Sequence, residues 1–356
     1  MTLLLDNDDV LRVIDLGACI AALELAFRDL AAGDATNRPR SHSYTPLGDG
    51  HHYLFKSMDG ALPRFGVHAI RMSSDHTHEF TRAGRRRREK LPLAPGGRYV
   101  GLVILFDIKT LVPLAIVQDG ELQRVRVGCT SAIAAKCLAR ADAGRVGIVG
   151  TGWQAETQLL ALARVHETRE VSAYSTDPGH VRRFCERMTR RLGIPVTAAR
   201  SAREVLRGAD VVVLATNSHD PVIEGEWLEP GQHVNSVQSH ELDGATLERA
   251  TLIAVRSADP ATFHFPPGRG PVESTEVRAL PERLAAKVVP LGDLLLSGGT
   301  RRAPGDITLF TGGGLGASSG LGIQFAAAAY AVYAAARAAG VGRELPTEWF
   351  TQTAKP

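Results

Sequence analysis

Apolar positions recur along this chain with two different periods, and the change of period divides it. Val10, Leu11, Ile14, Leu16, Ile20 and Leu23 are the apolar positions of a helix read over residues 9–32, and Gly33 supplies its stop. From residue 36 to 120 the apolar runs are short and separated by Gly and Pro: His52–Phe55, Gly66–Arg71, Val100–Phe106 and Pro113–Val117. This spacing predicts a mixed or antiparallel sheet, with Asp107–Thr110 as a turn between two strands. An Ala-rich helix is predicted from Thr130 to Arg140. Strands and helices then alternate to about residue 310. Ala209–Thr216 is apolar almost throughout, as strands covered on both faces are. Asp306–Phe310 reads as a late strand and Thr311–Gly316 as a glycine-rich turn. The small-residue stretch from Gly320 to Gly340 reads as a helix that packs back on the first region.

One junction carries chemistry. The apolar run Arg145–Val149 ends in Gly150-Thr151-Gly152-Trp153-Gln154-Ala155, and a helix-like segment follows. Strand, Gly-x-Gly-x-x-Ala turn and helix start form the setting in which this pattern binds a dinucleotide. Gly150 permits the sharp turn, Gly152 leaves room for a pyrophosphate, and Ala155 lets helix and strand pack closely. Phosphates would rest on the free N–H groups at the helix N-terminus. Glu170–Tyr174 is placed as the second strand of the unit. The fold class is therefore α/β, with a Rossmann-type nucleotide-binding domain. Ser175, Thr176 and Asp177 follow the second strand; Ala215, Thr216 and Asn217 end the strand that borders the nicotinamide. Asp177 lies late for the NAD-type ribose contact, whereas Ser175, Thr176, Arg182 and Arg183 suit a 2′-phosphate. The reading taken is NADP, with NAD as the alternative.

Composition narrows the class. A net charge of +3 over 356 residues implies no nucleic-acid or acidic-membrane partner. The basic run Arg85–Lys90 reads as a solvated loop. Cys19, Cys129, Cys137 and Cys185 lack metal-ligand spacing and read as reduced thiols. With no signal-peptide pattern, the expected location is the cytoplasm and no metal is expected.

These segments together resemble the ornithine cyclodeaminase and mu-crystallin family. Leu122–Ser131, Gly150–Ala155, Ala215–Ser218 with Pro221, Gly225–Val234, Asp306–Phe310 and Gly320–Phe325 carry the likeness. The resemblance implies a homodimer, a nicotinamide cofactor and a small amino-acid-like substrate. It implies a discontinuous α+β substrate-binding and dimerisation domain, residues 1–125 and 318–356, completed by the C-terminal helix. Residues 126–317 are then the Rossmann domain. It also implies carboxylate binding by Arg126 and by Arg40, whose planar forks suit that task.

The chain departs from the family at two acid/base positions. The family's lysine position holds His68, and Gln238 or Ser239 stands where an aspartate is expected. Cyclodeamination needs a group that moves protons at a departing amine, which neither glutamine nor serine supplies. Hydride transfer to a ready-made imine needs an orienting cation and one proton donor. His68 is the candidate donor, with a hydrogen-bonded strand histidine as the equal alternative; His240 is read as structural. Arg71 and Lys56 complete the candidate pocket, though surface positions explain them as well. The leading expectation is an NAD(P)-dependent oxidoreductase acting on the C=N bond of an amino-acid-derived imine. A cyclodeaminase with altered acid/base residues and a non-catalytic nucleotide-binding partner are the alternatives.

Overall fold

The computed structural model describes residues 1–82, 85–257, 262–268, 270, 272–273, 281–299, 303–312 and 320–353. The helical segment expected over 9–32 is two helices, Asn7–Val13 and Leu16–Ala32. Two aspartates explain the break. Asp6 accepts a hydrogen bond from the Asp9 N–H, and Asp15 accepts one from the Ala18 N–H at 2.7 Å, so each starts its own helix. Gly33 ends the second helix in the left-handed conformation, φ +81°.

The following strands are longer than their apolar runs. Arg40–Gly48, His51–Leu62, Val67–Arg82, Val100–Asp107 and Pro113–Gln118 form an antiparallel meander at the centre of a sheet that has eleven strands among the described residues. Lys56 faces His42 and Ser73 across it, and Met58 faces Arg71. Polar residues hold buried positions on the covered face, so an apolar pattern alone undercounts the strands. The basic run expected as a loop is the strand Arg85–Leu91, paired antiparallel with Val67–Arg82. It stands at a sheet margin, a place where charged sequences resist further pairing.

The helix expected from Thr130 begins at Asp119 and runs to Leu138. The Gln118 side chain accepts from the Gly120 N–H at 2.6 Å, and Asp119 and Glu121 lie in the first turn, where the dipole favours acids. Beyond this bridging helix lies the second sheet, with eight strands among the described residues, all parallel. The chain runs outward from Arg145–Val149 through Glu170–Tyr174 to Val196–Ala198. It then returns to the other side with Val211–Leu214 and His233–Ser236. This reversal is the switch point where doubly wound folds bind ligands.

One expected boundary shifts. Thr262–Phe265 and Val272–Glu273 fall within the span assigned to the nucleotide domain, yet they join the first sheet, with Thr262 opposite Arg40 and His264 opposite His42. The open edge of Arg40–Gly48 offers them backbone partners. The glycine cluster is described only at Thr311 and Gly312; residues 313–319 lie outside the described ones.

The C-terminal helix Gly322–Ala339 packs into the first core, with Ala326, Ala327, Ala328 and Ala329 fully buried. Small residues are needed there. A Cβ on Gly322 would lie 2.0 Å from the Asp59 carbonyl oxygen, and one on Gly60 would lie 2.5 Å from the Ile323 nitrogen. Among the described residues no helix is long and apolar enough to cross a membrane. Because backbone cannot yield as a side chain does, Gly322→Ala is expected to lower unfolding free energy by about 3 kcal/mol. A urea titration with an unchanged m-value and an unchanged midpoint would contradict this.

Candidate functional site

The dinucleotide loop has the geometry its sequence requires. Gly150 adopts φ +105°, and a Cβ there would lie 2.2 Å from the Ala215 carbonyl oxygen. Gly152 is the N-cap of the helix Trp153–Leu162 and has no side-chain cap, so the first N–H groups stay open to an anion. Ala155 is fully buried beneath the turn. A cavity of about 760 Å³ opens above it. Its walls include Gly150, Thr151, Gly152, Trp153, Gln154, Ser175, Thr176, Ala215, Thr216 and Asn217. These residues fit a dinucleotide: an uncapped helix N-terminus, a side-chain-free approach and two strand ends converge on one space.

Asp177 also lines this cavity, but its Oδ1 caps the next helix by accepting from the His180 N–H at 2.8 Å. That backbone hydrogen bond holds its carboxyl below the usual range. Glu241, fully buried, accepts from the Thr216 N–H and hydroxyl at 2.6 and 2.8 Å, and from the Ser236 hydroxyl and the Gln238 N–H at 3.1 and 2.9 Å. Its oxygens tie the two strand-end loops together. Sequence reading passed over it because its link to the other strand end, through Thr216, spans 25 residues.

The second part of the site is cationic. Register places Arg40, Lys56 and Arg71 on the covered face of the first sheet. The bridging helix adds Arg126, and the residue after the strand Leu252–Val255 adds Arg256. Arg71 pairs with Asp119 at 2.6 Å. Arg126 donates to the Gln324 Oε1 at 3.0 Å and lies over the Phe325 ring, 5.1 Å from its centre. Burial first, then the neighbouring arginines, pushes Arg126 well below its usual pKa. The same causes bring Arg40 down to about 10 and Arg256 to about 9. Lys56, 8% exposed, lies 3.0 Å from Asp75, which also meets Lys90 at 3.1 Å. Burial, reinforced by Lys90, outweighs the carboxylate and lowers Lys56 to about 7. Burial acts to raise Asp75, but Lys56 and Lys90 hold it below the ordinary value.

A second cavity of about 700 Å³ is lined by Arg71, Asp75, Lys90, Tyr99, Asp119 and Trp153. Trp153 stands in the walls of both cavities, so the two adjoin. His42, Tyr44 and His264 form an aromatic group on the same sheet face, with His42 and His264 centred 5.0 Å apart.

His68 is not brought to this cluster. It sits half-exposed on the opposite sheet face, its Nε2 3.3 Å from the Asp59 Oδ2. Side chains alternate along a strand, so His68 and Arg71, three positions apart, point to opposite faces. His240 stacks on His219 at 5.1 Å, apart from the cations. Arg256 and Asp75 were missed for a shared reason: only the pairing of their strands within the sheets shows what lies beside them.

The chain matches the ornithine cyclodeaminase/mu-crystallin family over residues 2–340. It belongs to that family. A Bacillus cereus delta(1)-pyrroline-2-carboxylate reductase is 30% identical over 189 residues, which is 50% of this chain and 58% of that protein. Two solved structures align along almost all of it. The Thermococcus litoralis delta(1)-pyrroline-2-carboxylate reductase in complex with NADH and L-proline has a TM-score of 0.75 at 26% identity, covering 97% of this chain and 100% of that one. An archaeal alanine dehydrogenase dimer with bound NAD has a TM-score of 0.76 at 27% identity, covering 97% and 99%.

The two glycines give separable expectations. Gly152 has negative φ and open space around its missing Cβ, so Gly152→Ala is expected to melt like the parent but bind dinucleotide about 100-fold more weakly. Gly150→Ala is expected to lose both fold stability and binding, because its Cβ meets backbone. Calorimetric titration beside thermal melts reads the contrast; normal binding by Gly152→Ala would refute the assignment.

Lys56 gives a pH signature. Its folded pKa of about 7 lies below the 10.5 of a free lysine, so between these values the unfolded chain binds more protons. Stability contributed at this site therefore rises as pH climbs from about 7 toward 10.5. Lys56→Met removes that slope, leaving Asp75 paired with Lys90. Urea midpoints at pH 6.5 and 9.5 are expected to favour the variant at the lower pH; an equal effect at both would refute the shift.

Proposed function

We propose that this chain is an NAD(P)-dependent oxidoreductase that reduces the C=N bond of an amino-acid-derived imine, or oxidises the corresponding amino acid. One observation carries the reading: the dinucleotide cavity adjoins a second cavity walled by the buried guanidinium of Arg71, with Trp153 common to both walls. The relatives named for pyrroline-carboxylate reduction and alanine oxidation support the same class.

Arg126 and Arg40 hold the substrate carboxylate. A guanidinium fork fixes both carboxylate oxygens and so orients the adjacent carbon. Gln324 and Phe325 fix the fork itself. The nicotinamide, when bound, supplies or accepts the hydride. The imine nitrogen gains a proton on reduction, and Lys56 is the group suited to hold one near neutral pH. Asp75 links it to the cavity wall. His68 faces away and is not assigned this role.

The cofactor reading stays with NADP. Ser175, not an acid, follows the second strand, and one oxygen of Asp177 is engaged in its cap. The relatives with NADH and NAD favour the alternative. Ile70, Met72, Leu102, Ile104, Phe106 and Ile116 form an incompletely covered apolar face on the first sheet. A homodimer closes that face, as the dimeric alanine dehydrogenase suggests; light scattering would give twice the chain mass of 38.1 kDa.

The test is nicotinamide absorbance with NADPH and NADH against cyclic ketimine acids and keto acids with amines. Stoichiometric consumption, faster with NADPH, is expected. Faster turnover with NADH reverses the cofactor choice. Ammonia release with catalytic nucleotide and no net absorbance change would turn the reading to cyclodeamination.

A further inference from the structure

We propose that Arg256 binds a second carboxylate, making the substrate an imino dicarboxylic acid. This deepens the imine-reducing function proposed above and rests on it.

The argument is one of charge and partners. Arg256 is 7% exposed, and its Nε and Nη2 make no hydrogen bond. Among the described residues no carboxylate pairs with it, and the charge that acts on it is that of Arg40, which is repulsive. The surrounding cations are differently placed. Arg71 has Asp119, while Lys56 and Lys90 share Asp75. Arg126 has the neutral Gln324 and feels Arg256, Arg40 and Arg71 as like charges. A buried guanidinium without a counterion is costly, and an anionic ligand removes the cost. One carboxylate, held bidentately by Arg126, brings a single negative charge to this group. It leaves Arg256 uncompensated. A second carboxylate on the same ligand gives Arg256 a counter-charge of its own.

Position excludes the cofactor's phosphates as that anion. Arg256 follows Leu252–Val255, and three strands separate this strand from the glycine-loop strand Arg145–Val149. A 2′-phosphate would lie near the end of Glu170–Tyr174, on the other side of the glycine-loop strand. Arg256 is grouped instead with Arg40 and Arg126, the residues assigned to the substrate.

The experiment compares imines formed in solution from ammonium with oxaloacetate, 2-oxoglutarate or pyruvate, using both nicotinamides. At least one dicarboxylate is expected to exceed pyruvate in kcat/KM by about 30-fold. Arg256→Gln is expected to cut the dicarboxylate value by about 100-fold and the pyruvate value by less than about threefold, the scale of a lost charge-assisted contact. Equal use of mono- and dicarboxylates, or an equal loss on both, overturns this proposal and leaves imine reduction standing. Absence of turnover on every imine overturns the underlying reading instead. Binding of succinate and glutarate against propionate, measured on the parent protein by calorimetry, needs neither turnover nor a folded variant. Tighter diacid binding supports the second carboxylate site, and equal affinities refute it.

Discussion

The contact between Gly60 and Gly322 sets the geometry on which the site depends. Two backbones meet there with no side chain between them. That approach fixes the start of the C-terminal helix against the first sheet. The third and fourth residues of the helix, Gln324 and Phe325, are thereby placed beneath the cations. Gln324 binds Arg126 and the Thr130 hydroxyl, and Phe325 lies under both Arg126 and Arg71. A steric constraint in the core becomes an orienting device in the crevice.

Electrostatics imposes the second constraint. Arg40, Arg126 and Arg256 are held where burial and mutual repulsion disfavour their charges. Folding energy from the packed cores offsets that cost, since Arg126 belongs to a helix packed into the first core and Arg256 directly follows a strand of the second sheet. The crevice is consequently primed for anions before any ligand arrives. Outside the carboxyl ends of the parallel strands, at the switch point, the glycine-loop cavity and the cavity beside Arg71 share Trp153 as a common wall.

Much of this was legible in residue order. Gly150, Gly152 and Ala155 act locally: a turn, an open approach and a close helix each depend on residues a few positions away. The alternation of strands and helices after Arg145 likewise reports a parallel sheet through local period alone. Arg126 was legible through resemblance. The strand Arg85–Leu91 was not, because a basic run has no apolar period to betray its pairing.

The sequence by itself determined the alternation of the nucleotide-binding half and its glycine loop, since period and local spacing encode those directly, while Arg126 and Arg40 were singled out by resemblance. Tertiary structure decided which cations share a space. His68 lost its place to strand parity, which turns it away from Arg71. Thr262–Phe265 left the nucleotide sheet for the free edge beside Arg40. Asp75 and Arg256 joined the candidate residues Lys56 and Arg71 because sheet register and strand order, both long-range properties, brought distant residues together.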